Sequence, residues 1–253
     1  MHHGLIINSI FRNNSASSSN FGGAIYISSG NSLVYNCTFI SNSAYEGGAI
    51  YGSGTNITID KSNFENNRVT AFGGAIFLVS SQYSCINNSY FSGNNADSGS
   101  STGSGNGGII YLGSSAINTV INNITAFDNQ CGSWGSAIYS AGDGTKLYNS
   151  RFTENSYNAK LNYGGTIYFT NKHSEIVNCY FADNLAYKGG AIAATVQNFT
   201  LKNSTFIRNT ANYRGGALYF NSGSFIPTNI TIIDCIFTNN TSKCVILHSI
   251  FSN

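Results

Sequence analysis

Four charged side chains, Asp128, Glu154, Asp183 and Arg208, each stand two positions past a recurrent Phe, with Ala126 taking the place of Phe for the first. If these positions lie in register on neighbouring turns of one fold, successive carboxylates sit about 4.8 Å apart. Carboxylates at that range can hold Ca²⁺ or act as a general acid and base pair on a carbohydrate linkage. The competing reading is a solvated corner. The same position holds Asn13, Ser41, Asn66, Gly93 and Asn239 elsewhere, and Arg208 neutralises one end of the row. A second set is aromatic: Tyr26, Tyr51, Phe77, Tyr111, Tyr139, Tyr168 and Tyr219 each follow the Ile or Leu of a G-G-A-I-type motif, with Ala193 as the exception. If the motif Ile points inward, these rings point out. An exposed stripe of rings can grip sugar rings or a partner, and Tyr offers contact area at low entropy cost. Equally, the rings can simply stack on one another.

Other chemistry is sparse. The four His (His2, His3, His173, His248) lack metal-ligand spacing. No phosphate loop, zinc motif or nucleophile elbow occurs, so neither a cofactor nor a metal is expected. Cys37, Cys179 and Cys235 fall in a column otherwise mostly Ser, and no two lie in adjacent repeats. Repeats two apart are separated by about 10 Å, beyond disulfide reach. Buried free thiols are expected, with Cys235–Cys244 the one pairing left open.

What positions these residues is a repeat. The Gly motif starts at Gly22, Gly47, Gly73, Gly107, Gly135, Gly164, Gly189 and Gly215, alternating with F-x-x-N motifs such as Phe39-Asn42 and Phe181-Asn184. From Gly motif to Phe position the distance is 17 to 19 residues, with one value of 22 around Pro227. The return distance varies from 8 to 16 and absorbs most insertions, the longest being the Ser/Gly-rich run 96–106. Five before each Phe position stand only aliphatic residues: Ile6, Val34, Ile59, Ile86, Ile121, Leu147, Ile176, Leu201 and Ile232. Short runs with period-two alternation mean strands, and like residues at one position of every repeat mean in-register stacking. The expected fold is all-β: a parallel β-helix of about 8–9 coils, roughly 25 or more residues per coil, forming a single segment over residues 1–253.

Two Asn columns belong to that fold. Asn8, Asn36, Asn88, Asn123, Asn149, Asn178 and Asn203 lie three before the Phe position and are expected to form an amide ladder at a corner. The Asn of F-x-x-N is expected to cap another corner in a left-handed backbone conformation. About ten N-x-S/T sequons occur, and those on the first ladder (Asn36, Asn123, Asn203) are expected to be buried.

Composition narrows the function classes. Of 253 residues, 36 are Asn and only 9% are charged, against about 25% in ordinary soluble domains. Amides and hydroxyls keep the surface wet. A net charge of +2 gives no footprint for nucleic acid, and no apolar run approaches the roughly 20 residues of a membrane span. The chain opens on Met1-His2-His3-Gly4 without a basic-then-apolar leader and closes on another coil-like string, His248-Ser249-Ile250-Phe251. It reads as a cut-out of a longer array.

The paired G-G-A-I and F-x-x-N motifs resemble the polymorphic outer membrane protein repeat of chlamydial autotransporter adhesins, with similar repeats in protist and archaeal surface proteins. The resemblance covers almost the whole chain. It implies a right-handed β-helix at a cell surface or outside the cell, with adhesion as its role and a host-cell glycan or protein as partner. The expectation is a non-enzymatic, adhesin-like rod; the alternative is a carbohydrate-active β-helix, a lyase or glycosidase, using Asp128, Glu154 and Asp183.

Overall fold

The computed structural model describes residues 4–17, 19–97, 105–157, 164–221 and 227–243. Every element in these residues is a short β-strand. One coil shows the plan: Ser32–Tyr35, Thr38–Ile40, Ser43–Glu46 and Ile50–Gly52, after which Thr58–Asp60 begins the next coil directly above the first strand. Among the described residues this builds four parallel sheets running the length of the rod, two of nine strands and two of eight. They are named here, in coil order, the aliphatic, phenylalanine, short and tyrosine sheets. The parallel β-helix expected from the repeat is the fold observed.

Corners keep the strands short. The first, between aliphatic and phenylalanine strands, has positive φ at Asn36 (51°), Asn88 (48°) and Lys61 (50°). The second has it at Ser41 (53°), Asn66 (54°) and Asp128 (51°), and the third at Asn56 (54°), Tyr83 (57°) and His173 (57°). Left-handed backbone costs an L residue roughly 1–2 kcal/mol, least for Asn and Asp, so Asn accumulates there. The fourth corner takes Gly: a Cβ on Gly47 (φ +63°) would stand 2.3 Å from the Ile50 carbonyl oxygen. In one coil this corner differs from the expected register. Gly165, not Gly164, has the positive φ, and Ile167 still pairs with Ile138, so that corner is one residue shorter.

The F-x-x-N asparagines do not adopt the left-handed conformation expected of them; the residue before each one does. Their side chains turn inward instead. Asn42, Asn67, Asn94, Asn129, Asn155, Asn184 and Asn209 are buried. Each backbone N–H and Nδ2 donates to Oδ1 of the Asn one coil on, with offsets of 25 to 35 residues. The Asn column three before Phe is the exposed one, so Asn36, Asn123 and Asn203 of the sequons lie on the surface, not in the interior. A corner residue with left-handed φ turns its side chain out. This outer ladder is linked as well, with Asn36 Nδ2 donating to Asn8 Oδ1 at 2.7 Å and Asn123 Nδ2 to Asn88 Oδ1 at 2.8 Å.

Between the ladders lies an apolar core. Val34, Ile59, Ile86, Ile121, Leu147, Ile176 and Leu201 are fully buried. Phe rings stack face to face at strand spacing, for example Phe39–Phe64 at 4.7 Å and Phe181–Phe206 at 4.9 Å. Ala126 occupies the Phe column in register with Phe91 and Phe152. In that coil Ile124 replaces the small residue two positions earlier, so volume lost at one inward site is restored at its neighbour. Elsewhere that neighbour is a hydroxyl that closes the corner: Ser89 Oγ donates to Asn87 O at 2.6 Å and accepts the Ser62 N–H at 3.1 Å. Cys37 and Cys179 take the donor part with Sγ, 3.3 and 3.4 Å from carbonyl oxygens two residues back.

Candidate functional site

The carboxylates fall on successive coils. Phe127 pairs with Thr153, Thr153 with Ala182 and Ala182 with Ile207, which sets Asp128, Glu154, Asp183 and Arg208 on successive coils at the second corner. All four have left-handed φ, from 51° to 58°, and all four are exposed. The left-handed corner aims them outward, into solvent. Arg208 closes a bidentate pair on Asp183, Nε to Oδ1 and Nη2 to Oδ2, both 2.7 Å. That guanidinium holds the Asp183 carboxyl below its usual range. Such a carboxylate is a poor proton donor, and each of its oxygens already accepts a hydrogen bond from Arg208.

The tyrosine sheet puts its candidate residues in one continuous row. Ile25, Ile50, Ile76, Ile110, Ile138 and Ile167 face inward, and the residues after them stack along the rod. Tyr26–Tyr51 ring centroids are 5.0 Å apart, Tyr51–Phe77 5.1 Å, Phe77–Tyr111 4.9 Å, Tyr111–Tyr139 4.6 Å and Tyr139–Tyr168 5.8 Å. Exposure is uneven. Tyr26 is 53% exposed, Tyr111, Tyr139 and Tyr219 are half-buried, and Tyr51, Phe77 and Tyr168 are 5–8% exposed. Burial pushes the Tyr111 and Tyr168 phenols up to about 12.

What covers the row is a column sequence reasoning missed: the residue before each left-handed Gly. Phe21 stacks on Tyr51 at 4.7 Å, Phe72 on Tyr111 at 4.8 Å, and Trp134 lies 4.1 Å from Tyr168 at a 57° tilt. Glu46 occupies this column between Phe21 and Phe72. Burial raises its carboxyl above the ordinary value, and Tyr51 is raised by burial first and then by the Glu46 charge. The column ends in cations. Gly164 is followed by Lys188 and Arg214, partners in register. The signal available in sequence was positional: Phe21, Glu46, Phe72, Trp134, Lys188 and Arg214 each stand just ahead of a left-handed Gly.

Two hollows open near these faces. One, about 190 Å³, sits at the third corner among Asp143, Asn171, Lys172, Thr195 and Gln197. The Lys172 N–H donates to Asp143 Oδ1 at 2.9 Å across its mouth. The other is a shallow notch bounded by Trp134, Tyr168, Lys188, Ala193 and Tyr219.

Among the described residues no three His, Cys, Asp or Glu side chains are placed to hold a metal ion. His173 Nε2 lies 3.0 Å from Asn198 Nδ2 at a corner. Cys37, Cys85, Cys131, Cys179 and Cys235 are free thiols. Cys244, His2, His3, His248 and most of the 96–106 insertion lie outside the described residues. No helix among them is long and apolar enough to cross a membrane.

Against known proteins, residues 105–252 match the family model for the right handed beta helix region. Residues 8–28, 36–53 and 61–78 match that for the Chlamydia polymorphic membrane protein repeat. No curated protein and no solved structure matches the chain.

Proposed function

From the premise that this chain belongs to the right handed beta helix family and carries polymorphic membrane protein repeats, we propose that it is a non-enzymatic rod at a cell surface or outside the cell, serving as an adhesin-like binding and structural segment. The observation that carries this reading is the unbroken in-register stack. Four sheets and four columns of left-handed corners give a stiff scaffold whose faces repeat at about 4.8 Å, while insertions gather at corners. Rigid scaffolds with variable edges suit binding better than turnover. On this reading the row Tyr26, Tyr51, Phe77, Tyr111, Tyr139, Tyr168 and Tyr219 braces the binding face and offers its less covered rings to a host-cell glycan or protein.

The alternative, a carbohydrate-active enzyme using Asp128, Glu154 and Asp183, draws on their adjacency. Their outward, exposed corner and the Arg208 clamp weigh against it. Retention of the purified chain on host cells or immobilised glycans, without release of reducing ends from polysaccharide, is the expected result. Release of reducing ends abolished by Asp183→Asn would establish the alternative.

We also propose that the end faces stack on further coils, because the inward columns end in Ile6 and Phe11, only partly buried, at one end and in Ile232 and Phe237, 37% and 45% exposed, at the other. Fusing one more coil to either end should then raise Tm; an unchanged Tm would count against this.

A further inference from the structure

The cationic end of the covering column is electrostatically unfinished. Lys188 and Arg214 pair in register, which brings two positive charges onto adjacent coils about 4.8 Å apart. All ten carboxylates of the chain are on described residues, and none of them pairs with Lys188 or Arg214. Aromatic faces supply the remaining contacts. Lys188 Nζ lies 5.4 Å from the Tyr219 ring centroid and 5.7 Å from that of Tyr213, and the Arg214 guanidinium carbon lies 4.7 Å from Tyr213. Tyr187 and Tyr213 stack at 5.3 Å and hold the cluster from the side. Beneath Tyr219 the register position is Ala193, so the row that runs as rings from Tyr26 to Tyr168 is interrupted here and opens into the shallow notch. Burial first, and then the Arg214 charge, press the Lys188 ammonium below its ordinary value. Two neighbouring cations without a carboxylate partner gain from any anion that reaches both.

We propose that Lys188 and Arg214, with Tyr213 and Tyr219, bind a sugar ring bearing a sulfate ester. A sulfate has three free oxygens, enough to bridge an ammonium and a guanidinium on adjacent coils, and the attached pyranose presents C–H faces to the tyrosine rings. Elsewhere in the covering column the occupants Phe21, Glu46, Phe72, Asn106, Trp134 and Gly164 include no cation, so the site is local to this end of the rod. The inference deepens the adhesive reading by naming a ligand class, and it rests on that reading only for its biological use.

The test is saturation-transfer NMR on the full chain with glucose 6-sulfate, glucose and inorganic sulfate as probes. Sugar-ring protons of glucose 6-sulfate should receive saturation, with apparent affinity about tenfold better than glucose. The signal should fall about tenfold in Lys188→Gln/Arg214→Gln and in Tyr219→Ala, while inorganic sulfate competes only weakly. Arg214→Lys, which keeps the charge, should retain part of it and guards against misfolding as the cause. Equal signals from glucose and glucose 6-sulfate, or full signal in the double variant, would overturn the proposal. Cell retention of the wild-type chain separates the two readings: retention without a glucose 6-sulfate signal removes this site and leaves the adhesive rod standing, whereas that signal without retention keeps the site and removes the adhesive reading.

Discussion

The backbone N–H and the Nδ2 of Asn94 both donate to Oδ1 of Asn129, each at 3.0 Å, although the two residues are 35 positions apart. Asn129 in turn donates from Nδ2 to the carbonyls of Phe91 and Phe127 and to Oδ1 of Asn155. One buried amide thus serves the backbone of two coils and the side chain of a third.

Replacing Asn129 with Leu therefore strands several buried polar groups at once. The expected loss is on the order of 3 kcal/mol, from unpaired groups costing about 1–3 kcal/mol each with partial relaxation. Asn123→Gly, in the exposed ladder, should change stability by less than about 0.5 kcal/mol, since Gly adopts its left-handed φ freely. Denaturant unfolding of the two variants checks the contrast. Equal losses would mean that the inner ladder has no special weight.

Ala126 and Ile124 form a compensating pair. Ala126→Phe alone should overpack the core and cost about 1–3 kcal/mol. Adding Ile124→Ser should recover most of that, because it recreates the Phe-plus-Ser pattern of Phe91 and Ser89. A double-mutant cycle reads the coupling; additive effects would remove the compensation argument.

Glu46 gives a pH signature with a definite sign. Its carboxyl is raised above 4.5 in the folded protein, so the folded state holds its proton more tightly than the unfolded one. The associated stability is fully present below the unfolded pKa and is lost as pH rises through the folded one. Glu46→Gln should therefore match the wild type in strong acid and exceed it in Tm at neutral pH. Asp183 acts in the opposite sense: lowered by Arg208, it contributes above 3.8 and loses that contribution as pH falls through its folded value. Being exposed, it counts for little. Parallel melting curves of Glu46→Gln and wild type across pH 3–8 would decide the matter, and a constant offset would refute it.

Tyr111→Ala with Tyr139→Ala removes the most closely stacked rings of the row. Loss of cell or glycan retention with a modest drop in Tm would place binding on this face. Full retention would shift it to the corner loops.

Legibility in the sequence followed the job each residue does. The Phe and Ile columns were readable because packing at one radius accepts few side chains, and the register of Phe39 on Phe64 and Val34 on Ile59 came out as expected. The F-x-x-N asparagines are legible in the sequence as a column, but their backbone conformation is not. Their sameness reflects the hydrogen bonds only an amide can make inside the rod. Left-handed φ falls on the preceding residue, where Asn66, Asp128, Glu154 and Arg208 differ freely because the side chain is in water. The cover over the tyrosine row stayed hidden for the same reason. Phe72, Trp134, Glu46 and Lys188 share a place and not a chemistry, so only stacked coils reveal them as one column.

The central claim is that coils stack in register, and pulsed dipolar distances between spin labels on the outward positions of the aliphatic sheet test it most directly. Thr58 is linked through Cys85 and Val120 to Lys146, and onward through Glu175 to Thr200 and Thr231. Pairing a label at Thr58 with labels at Lys146, Glu175, Thr200 and Thr231 should give Cα separations growing linearly, about 14, 19, 24 and 29 Å. Distances that do not rise by one strand spacing per coil would contradict the stack and every surface built on it.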